Sequence, residues 1–138
     1  MNSSLLISQA DRRPMYLQIM EQIRHRIAVG DWAPGYELPS IRALAAAVQV
    51  SVITVKRAYL ELERDGVIVT RQGKGSFVAD RADLSLQLRR GELDAHLIAA
   101  AGIGRMLGMT ADELAARLRA VSDGGAAGAP SDESENEA

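Results

Sequence analysis

The sequence predicts a mainly α-helical fold with one small β-hairpin and, after it, two further helices. Two segments, 40–48 and 51–64, each begin with a serine that can cap a helix and continue with the apolar residues of a buried helical face. Apolar and β-branched residues at 67–70 and 76–78 flank a glycine-rich stretch, the pattern of a hairpin. Helical spacing of apolar residues returns between 82 and 121. The 138 residues give room for one domain of ordinary size and an appendage.

The chain before residue 40 supports the two central helices. Residues 1–13 are polar apart from Leu5-Leu6-Ile7 and predict an extended N-terminal arm. Pro14 suits the first turn of a helix over residues 14–29, which we expect to pack on the two central helices. The apolar face of this helix is formed by Tyr16, Met20, Ile23 and Ile27. Residues 32–35, which include a Pro-Gly pair, predict a type II turn.

The central helices are short and their joint is tight. Ser40 caps the first helix, and the apolar run 44–48 supplies its predicted buried face. Gln49-Val50 interrupts that helix, and Ser51 caps the second. The apolar face of the second helix is formed by Val52, Val55, Tyr59 and Leu62, and the cations off this face are Lys56, Arg57 and Arg64. A joint of about four residues before a helix with exposed cations is the geometry that lays a helix N-terminus into the DNA major groove.

The segment after the second helix predicts a hairpin with a cationic tip. Asp65-Gly66 is a C-terminal signal for the helix. The strands are 67–70 and 76–78, and between them runs Arg-Gln-Gly-Lys-Gly at 71–75. Glycine lets the backbone N–H groups of the tip approach a phosphate or enter a minor groove together with the Lys74 ammonium. A helix-turn-helix followed by such a hairpin is a winged helix-turn-helix.

Short motifs in the correct order carry a family resemblance. They are Pro14–Ile19, Pro34–Arg42, Leu44-Ala45, Thr54-Val55, Ala58-Tyr59, Leu62-Glu63, Gly66 and Gly73–Val78. With these motifs, the stretch from Pro14 to Val78 resembles the DNA-binding domain of the GntR family of bacterial transcription regulators. The remainder most resembles the YtrA-type branch, whose C-terminal region is a small helical dimerisation unit.

The resemblance implies which residues contact DNA. The family's contacts lie on the first central helix, at the start of the second and at the wing tip, and the matching residues are Arg42, Ser51, Thr54, Lys56, Gln72, Gly73 and Lys74. We add Arg57, an exposed cation of the second helix. The Arg42 and Lys56 side chains can neutralise phosphates or reach guanine edges, and the hydroxyl groups can donate to phosphates or bases. Gly73 would let the wing backbone approach the duplex.

Val52 and Ile53 depart from the family pattern, which commonly has an arginine and a polar residue at these two positions. Base reading at this point is therefore either apolar, against a thymine methyl group, or absent. The departure bears on the target sequence more than on DNA binding itself.

The C-terminal part predicts two helices and a tail. Residues 82–107 form a long helix that stops at Gly108, and a Thr110–Glu113 capping box opens a last helix through about Val121. Two helices of this size cannot enclose a core, so a homodimer is expected to bury Leu93, Leu97, Leu107, Leu114 and Leu118. The predicted organisation is an arm at 1–13, a winged helix-turn-helix domain at 14–80, a helical dimerisation region at 81–121 and a disordered acidic tail at 122–138.

Composition excludes several classes of site. The chain has no cysteine, which excludes disulfide scaffolds, cysteine-based zinc sites and thiol catalysis and fits a cytoplasmic location. No apolar run is long enough to span a membrane, and the N-terminus lacks the pattern of a signal peptide. The formal charge of −2 is unevenly placed, because residues 122–138 carry five acids and no Lys or Arg, which leaves +3 for the remainder.

Patterns that resemble other kinds of site fail on spacing or context. Gly73–Ser76 lacks the spacing of a phosphate-binding P-loop, and Gly102–Gly108 has no preceding strand for a dinucleotide site, so close helix packing or a kink is preferred there. His25 and His96 are interpreted as surface or boundary residues without a metal-ligand pattern. Three acids of the second helix are interpreted as helix surface: Glu61, Glu63 and Asp65. We therefore expect no enzyme activity, no metal and no cofactor.

The sequence thus predicts a dimeric transcription regulator, a repressor on an inverted-repeat operator in double-stranded DNA. The resemblance adds that YtrA-type members often control transport genes. The alternative is a protein-interaction or architectural module, because winged helices also bind proteins. Salt dependence separates these functions, since log K falls by about 0.9 per phosphate contact as log salt rises. About forty ordered C-terminal residues are too few for a pocket of the usual size, so a small-molecule effector would bind between subunits or between the DNA-binding and dimerisation regions.

Overall fold

Five helices and one antiparallel hairpin make up the part of the chain that the structure, a computed structural model, describes: Leu5 and residues 11–128, with side chains up to residue 124. The elements are α1 (Met15–Ala28), α2 (Ile41–Val48), α3 (Val52–Arg64), β1 (Ile68–Arg71), β2 (Gly75–Val78), α4 (Leu84–Met106) and α5 (Ala111–Gly128). The predicted fold class, mainly helical with a two-stranded wing, is confirmed. Two compact units result, Met1–Glu92 and Leu93–Ala138, named below the winged-helix unit and the C-terminal unit.

α1 forms one wall of the core of the winged-helix unit and packs on α3, as expected. Its predicted apolar face is confirmed at three positions that are buried: Met20, Ile23 and Ile27. Ile19 joins that face, and Tyr16 lies partly buried at its edge. Leu5, from the predicted N-terminal arm, also lies in this core with only 6% of its surface exposed. The rest of that arm up to residue 10 lies outside the described residues.

The joint between α2 and α3 is built from two serine caps and one left-handed residue. The Ser40 and Ser51 hydroxyl oxygens each accept a hydrogen bond of 3.1 Å, from the backbone N–H of Ala43 and of Thr54 respectively. Gln49 ends α2 with φ at 59°, and its backbone N–H donates to the carbonyl oxygen of Ala45. Both serine caps predicted from the sequence are therefore confirmed.

Helical periodicity corrects two details of the buried faces. In α2 the run 44–48 was expected to be buried throughout, but Ala46 and Ala47 are exposed, because positions 41, 44, 45 and 48 share one face of a helix. In α3 the Val52 side chain is 45% exposed rather than part of the core. The first turn of α3 lies at the edge of the core, and Ala58 is buried further along the helix instead.

Tyr59 connects α3 to the start of α2. Its hydroxyl group donates a hydrogen bond of 2.7 Å to the carbonyl oxygen of Pro39, immediately before the Ser40 cap. The side chain is 4% exposed, and this burial raises the pKa of the Tyr59 hydroxyl well above its ordinary value. The raised pKa favours the neutral hydroxyl group, which is the form that can donate this hydrogen bond between α3 and the start of α2.

The wing is the predicted hairpin, with Ile68 opposite Val78 and Arg71 opposite Gly75. The backbone N–H of Lys74 closes the tip by donating 2.8 Å to the carbonyl oxygen of Arg71. A third segment runs beside β2, since the N–H of Leu38 donates to Ser76 and the N–H of Val78 donates to Tyr36, each over 2.8 Å. The segment between α1 and α2 therefore anchors the base of the wing. The turn predicted at 32–35 precedes that segment, with Gly35 at φ 84°.

α4 begins within the core of the winged-helix unit. Leu84 is 2% exposed, and Leu88 packs against the same core. The compact unit consequently extends to residue 92, beyond the end at residue 80 expected for the DNA-binding domain. The glycines of α4 do not interrupt the helix, which ends at Met106 before Gly108 at φ 74°.

The predicted capping box opens α5. Thr110 Oγ1 accepts the N–H of Glu113 over 3.1 Å, and the N–H of Thr110 donates to Glu113 Oε1 over 2.8 Å. α5 then continues past Val121, its predicted end, to Gly128. Extending an existing helix adds one hydrogen bond for each residue that is fixed, so weak helix formers can follow a well-capped start. The prediction of a disordered tail at 122–138 is therefore wrong for residues 122–128, which are helical, and the remaining residues lie outside the described part of the chain.

Candidate nucleic-acid interface

The candidate interface consists of exposed residues on α2, α3 and the wing. Arg42 is the second residue of α2, next to the Ser40 cap, and its side chain is exposed. Lys56 and Arg57 are exposed on α3, away from the buried face formed by Val55, Ala58 and Tyr59. These placements agree with the sequence-based expectation that all three cations face solvent.

The start of α3 carries two hydroxyl groups in contact with each other. Ser51 Oγ lies 2.8 Å from Thr54 Oγ1, and it also accepts the backbone N–H of Thr54. Ser51 is exposed and Thr54 is half-buried. Ser51 Oγ therefore caps α3 and also shares a hydrogen bond with Thr54 Oγ1. One hydroxyl proton of the pair is not used in these contacts and can be donated to another group.

The first turn of α3 presents two apolar side chains to solvent. Ile53 is 79% exposed and Val52 is 45% exposed. Apolar side chains at this position have no partner among the described residues that would bury them. They are available for contact with another apolar group, such as a thymine methyl in a major groove.

The wing tip is exposed throughout. Gln72, Gly73 and Lys74 are all solvent-exposed, and Gly73 has φ at 76°. A left-handed backbone without a Cβ atom lets another chain or a phosphate approach the tip closely. The space where a Cβ atom of residue 73 would lie is open, with no atom of the described residues within 4 Å.

Ion pairing separates the cations of this surface from most of the others in the winged-helix unit, since among those others within the described residues only Arg12 and Arg90 also have no acid within 4.0 Å. In the part of the chain that the structure describes, no carboxylate lies within 4.0 Å of the charged groups of five cations: Arg42, Lys56, Arg57, Arg71 and Lys74. Six other arginines in the unit do pair with acids: Arg13, Arg24, Arg26, Arg64, Arg81 and Arg89. An unpaired surface cation can contact a phosphate without first breaking an ion pair with an acid of its own chain.

Family comparison identifies the type of protein that carries this surface. The sequence profile described as "Bacterial regulatory proteins, gntR family" matches residues 15–78. YhcF of Bacillus subtilis (strain 168), an uncharacterized HTH-type transcriptional regulator, is 34% identical over 113 residues, which are 82% of this chain and 93% of YhcF. The chain belongs to the GntR family. It is a transcription regulator with a winged-helix DNA-binding domain, and not an enzyme.

Other GntR proteins extend the similarity. The HTH-type transcriptional repressor YtrA of Bacillus subtilis is 37% identical over 93 residues, which are 60% of this chain and 72% of YtrA. A GntR family transcriptional regulator from Listeria monocytogenes has a TM-score of 0.70 at 28% identity, covering 79% of this chain and 96% of its own. The DNA-binding domain of AraR, solved in complex with operator ORX1, has a TM-score of 0.53 at 28% identity, covering 57% of this chain and all of that domain. These similarities agree with the YtrA-type branch of the family.

Two residues at or next to the candidate interface were absent from the predicted site residues. Arg71 ends β1 at the wing tip and lies 5.4 Å from the Phe77 ring centroid. Its place in the cationic sequence of the tip could have identified it. Tyr16, on α1, lies beneath the Arg57 guanidinium, with the guanidinium carbon 3.9 Å from the ring centroid. No local sequence signal connects these two residues, because they are separated by the whole of α2.

The acids and histidine near this surface have structural roles. Asp65 pairs with Arg24 over 2.8 Å, Glu61 pairs with Arg64 over 3.3 Å, and Glu63 accepts a hydrogen bond from Thr70. His25 is exposed, with its Nδ1 2.8 Å from a carboxylate oxygen of Glu92. Within the described residues, no group of three or more acidic, histidine or cysteine side chains could hold a metal ion. The helices of that same part of the chain are too short or too polar to cross a membrane.

The C-terminal unit exposes most of the leucines that the sequence assigns to dimerisation. Their exposed fractions are 57% for Leu93, 44% for Leu97, 71% for Leu107 and 52% for Leu118. Leu114 differs, because it packs within the unit against Gly104, where an added Cβ atom would lie 3.6 Å from its methyl groups. Close helix packing at this glycine was expected from the sequence, and it uses the Leu114 side chain inside a single chain.

Proposed function

We propose that this GntR regulator binds double-stranded operator DNA in a sequence-specific manner. One observation carries the proposal: the first turn of α3 is exposed, and α2, α3 and the wing each carry exposed cations that have no acidic partner among the described residues. The proposal is supported by AraR, whose DNA-binding domain resembles this one and was solved on an operator. A transcription regulator of this kind acts on chromosomal DNA in the bacterial cytoplasm.

The proposed roles follow from side-chain chemistry. Arg42, Lys56 and Lys74 neutralise phosphates or, for the arginine, reach a guanine edge. Ser51 and Thr54 share one hydroxyl proton in the hydrogen bond between them, and the hydroxyl whose proton is not used there donates to a phosphate from the start of α3. Gln72 and Gly73 bring the wing against the duplex. At the first turn of α3, the 79% exposed Ile53 contacts a thymine methyl group.

We further propose that the regulator is a homodimer and that its operator is an inverted repeat. Exposed apolar residues on both helices of the C-terminal unit support this, because a second copy could cover them: Leu93, Leu97, Leu107 and Leu118. A two-fold symmetric dimer presents two α3 helices to two half-sites related by the same symmetry. A small-molecule effector would act by changing the spacing of the two α3 helices.

The regulatory outcome is proposed from the named relatives. YtrA of Bacillus subtilis is a transcriptional repressor, and the same sign of regulation is proposed here. The resemblance to the YtrA-type branch extends this proposal to transport genes. Reporter expression from the bound promoter, with and without the regulator gene, tests the sign, and increased expression in the presence of the regulator would contradict repression.

The central experiment is fluorescence anisotropy with the DNA upstream of the regulator's own gene and with a shuffled duplex of equal composition. Each duplex is measured at two salt concentrations. We expect tight binding to the upstream duplex that weakens steeply with salt, because each phosphate contact contributes about 0.9 to the slope of log K against log salt. Preference for the upstream duplex establishes sequence-specific binding.

A protein-interaction or architectural module is the second candidate function. Equal and weak binding to both duplexes would favour it, with little dependence on salt for a protein-interaction module and a steep dependence for an architectural DNA-binding module. A selection from genomic fragments then separates a misplaced operator from the absence of one, because only a sequence-specific regulator enriches a common site.

A further inference from the structure

One cation of α3 is held in a different way from the paired arginines of the same unit. The guanidinium carbon of Arg57 lies 3.9 Å from the centroid of the Tyr16 ring, within the distance of a cation–π contact. Tyr16 is half-buried and packs against the core of the winged-helix unit, while Arg57 is exposed. The ring therefore has a fixed support on one side and carries the guanidinium at the surface.

The alternative partner of Arg57 is used elsewhere. Glu61 lies four residues after Arg57 on α3, the spacing at which opposite charges commonly pair on a helix. Its carboxylate instead contacts the Arg64 guanidinium, at 3.3 Å. The structure therefore places Arg57 over a neutral ring although an acid is available on its own helix.

The two kinds of partner have opposite effects on a phosphate contact. A carboxylate would restrain the guanidinium but cancel its charge and repel a phosphate. An aromatic ring restrains it without changing its charge, and stacking leaves the N–H donors at the edge of the guanidinium plane free for a phosphate. Holding the side chain in place before binding also reduces the conformational entropy that binding would otherwise remove.

We propose that Tyr16 is a positioning residue for DNA binding, whose ring holds the Arg57 guanidinium ready for a backbone phosphate of the operator. The proposal deepens the proposed function and rests on it. It also accounts for a motif that the predicted DNA contacts left unused, since Tyr16 belongs to the Pro14–Ile19 motif. A phosphate contact carries no base information, so Tyr16 affects affinity equally on every sequence.

The test is a double-mutant cycle with Tyr16→Leu and Arg57→Gln, measured by anisotropy on a random duplex at low salt and on a selected operator duplex. Arg57→Gln is expected to weaken binding to both duplexes and to lower the salt slope by about 0.9, the loss of one phosphate contact. Tyr16→Leu is expected to weaken binding to both duplexes by about three- to tenfold, which is the size of a surface cation–π contact and its preorganisation. In the Arg57→Gln background, Tyr16→Leu should have no further effect.

Two control variants separate the loss of the proposed contact from a general effect of mutation on folding. Tyr16→Phe retains the ring and should bind like the wild type, and Arg64→Gln removes a cation that is already paired and should leave the salt slope unchanged. In the free protein, NMR should detect a ring-current shift of the Arg57 side-chain protons that disappears in Tyr16→Leu and persists in Tyr16→Phe. Thermal unfolding of each variant measures any loss of stability separately.

Several outcomes would overturn the proposal. Equal weakening by Tyr16→Leu in the wild-type and Arg57→Gln backgrounds would assign Tyr16 a purely structural role. Unchanged binding by Arg57→Gln would remove the phosphate contact while leaving the proposed function intact, provided that the wild type still prefers its operator. A wild-type protein that binds neither duplex at low salt would overturn the proposed function and this inference together.

Discussion

The winged-helix unit and the C-terminal unit differ in how completely they bury their large apolar side chains. The first buries large apolar side chains completely, including Trp32, Ile19 and Ile23, and exposes cations without acidic partners among the described residues. The second exposes large apolar side chains, with Met106 at 86% and Leu107 at 71%. The partners proposed for the two units differ accordingly: a polyanion for the first and an apolar surface for the second.

A similar contrast exists along α3 itself. Its C-terminal end is internally satisfied, since Arg64 pairs with Glu61 and Asp65 pairs with Arg24. Its N-terminal half exposes Ile53 and Lys56 without such partners in the described part of the chain. Ion pairing thus divides α3 into a paired C-terminal end and an unpaired N-terminal half, where the proposed interface lies.

The largest expected effect is a difference in the free energy of unfolding between a variant of each unit. Ile23→Ala, in the buried core of the winged-helix unit, should lower the free energy of unfolding by about 2–5 kcal/mol because it removes a fully buried side chain and leaves a cavity. Leu107→Ala, at a 71% exposed position, should change the unfolding of the monomer by only about 0.5 kcal/mol or less. Chemical denaturation at low protein concentration measures both.

The Leu107→Ala variant should instead weaken the proposed dimer. We expect its dissociation constant to rise by about tenfold or more, because apolar burial contributes about 25 cal/mol for each Å² removed from water. Sedimentation equilibrium measures the constant. A large loss of monomer stability in Leu107→Ala, with an unchanged dimer dissociation constant, would mean that Leu107 stabilises the single chain rather than the dimer.

The next effect concerns the unpaired cations. The Arg42→Ala, Lys56→Ala double variant should lose DNA affinity by about ten- to a hundredfold, and its salt slope should fall by about 1.8, because two phosphate contacts of about 0.9 each are lost. Anisotropy against a salt series measures both quantities. Arg64→Ala, which removes a paired cation of the same helix, is the matched control, and an equal loss in this control would remove the distinction between the two ends of α3.

Tyr59→Phe should have a smaller effect on stability. It removes the hydroxyl that donates to Pro39 over 2.7 Å and leaves that carbonyl oxygen without this donor, so the free energy of unfolding should fall by about 1 kcal/mol. Thermal and chemical denaturation measure the change, with Tyr36→Phe as the control for a partly buried tyrosine. Unfolding that is unchanged in Tyr59→Phe would mean that the joint between α2 and α3 does not depend on this hydrogen bond.

The smallest effects come from a matched pair of glycines, one in each unit. Gly91→Ala, in the middle of α4 with open space around the new methyl group, should stabilise the helix by about 0.5–1 kcal/mol. Gly108→Ala, at φ 74°, should destabilise by a similar amount, about 1 kcal/mol, because a Cβ atom disfavours the left-handed backbone. Helix melting followed by circular dichroism measures both, and changes of the same sign would contradict these assignments.

Much of the fold could be predicted because its signals are local. The Ser40, Ser51 and Thr110 caps, the hairpin and the stop at Gly108 each depend on residues a few positions apart. The exposure of the site residues was predictable for the same reason, since helical spacing separates Lys56 and Arg57 from the buried face of α3. Their role in DNA binding remains a prediction.

The sequence by itself determined the order of the elements, the helix caps and the segregation of cations from the apolar faces. These depend on hydrogen bonds and periodicity within one or two turns of the chain. Only the tertiary structure decided that Tyr16 supports Arg57, that Leu5 and Leu84 enter the core, and that Leu114 packs on Gly104. The reason is that such contacts depend on how distant segments meet, and several arrangements of the same local elements have equally good local signals.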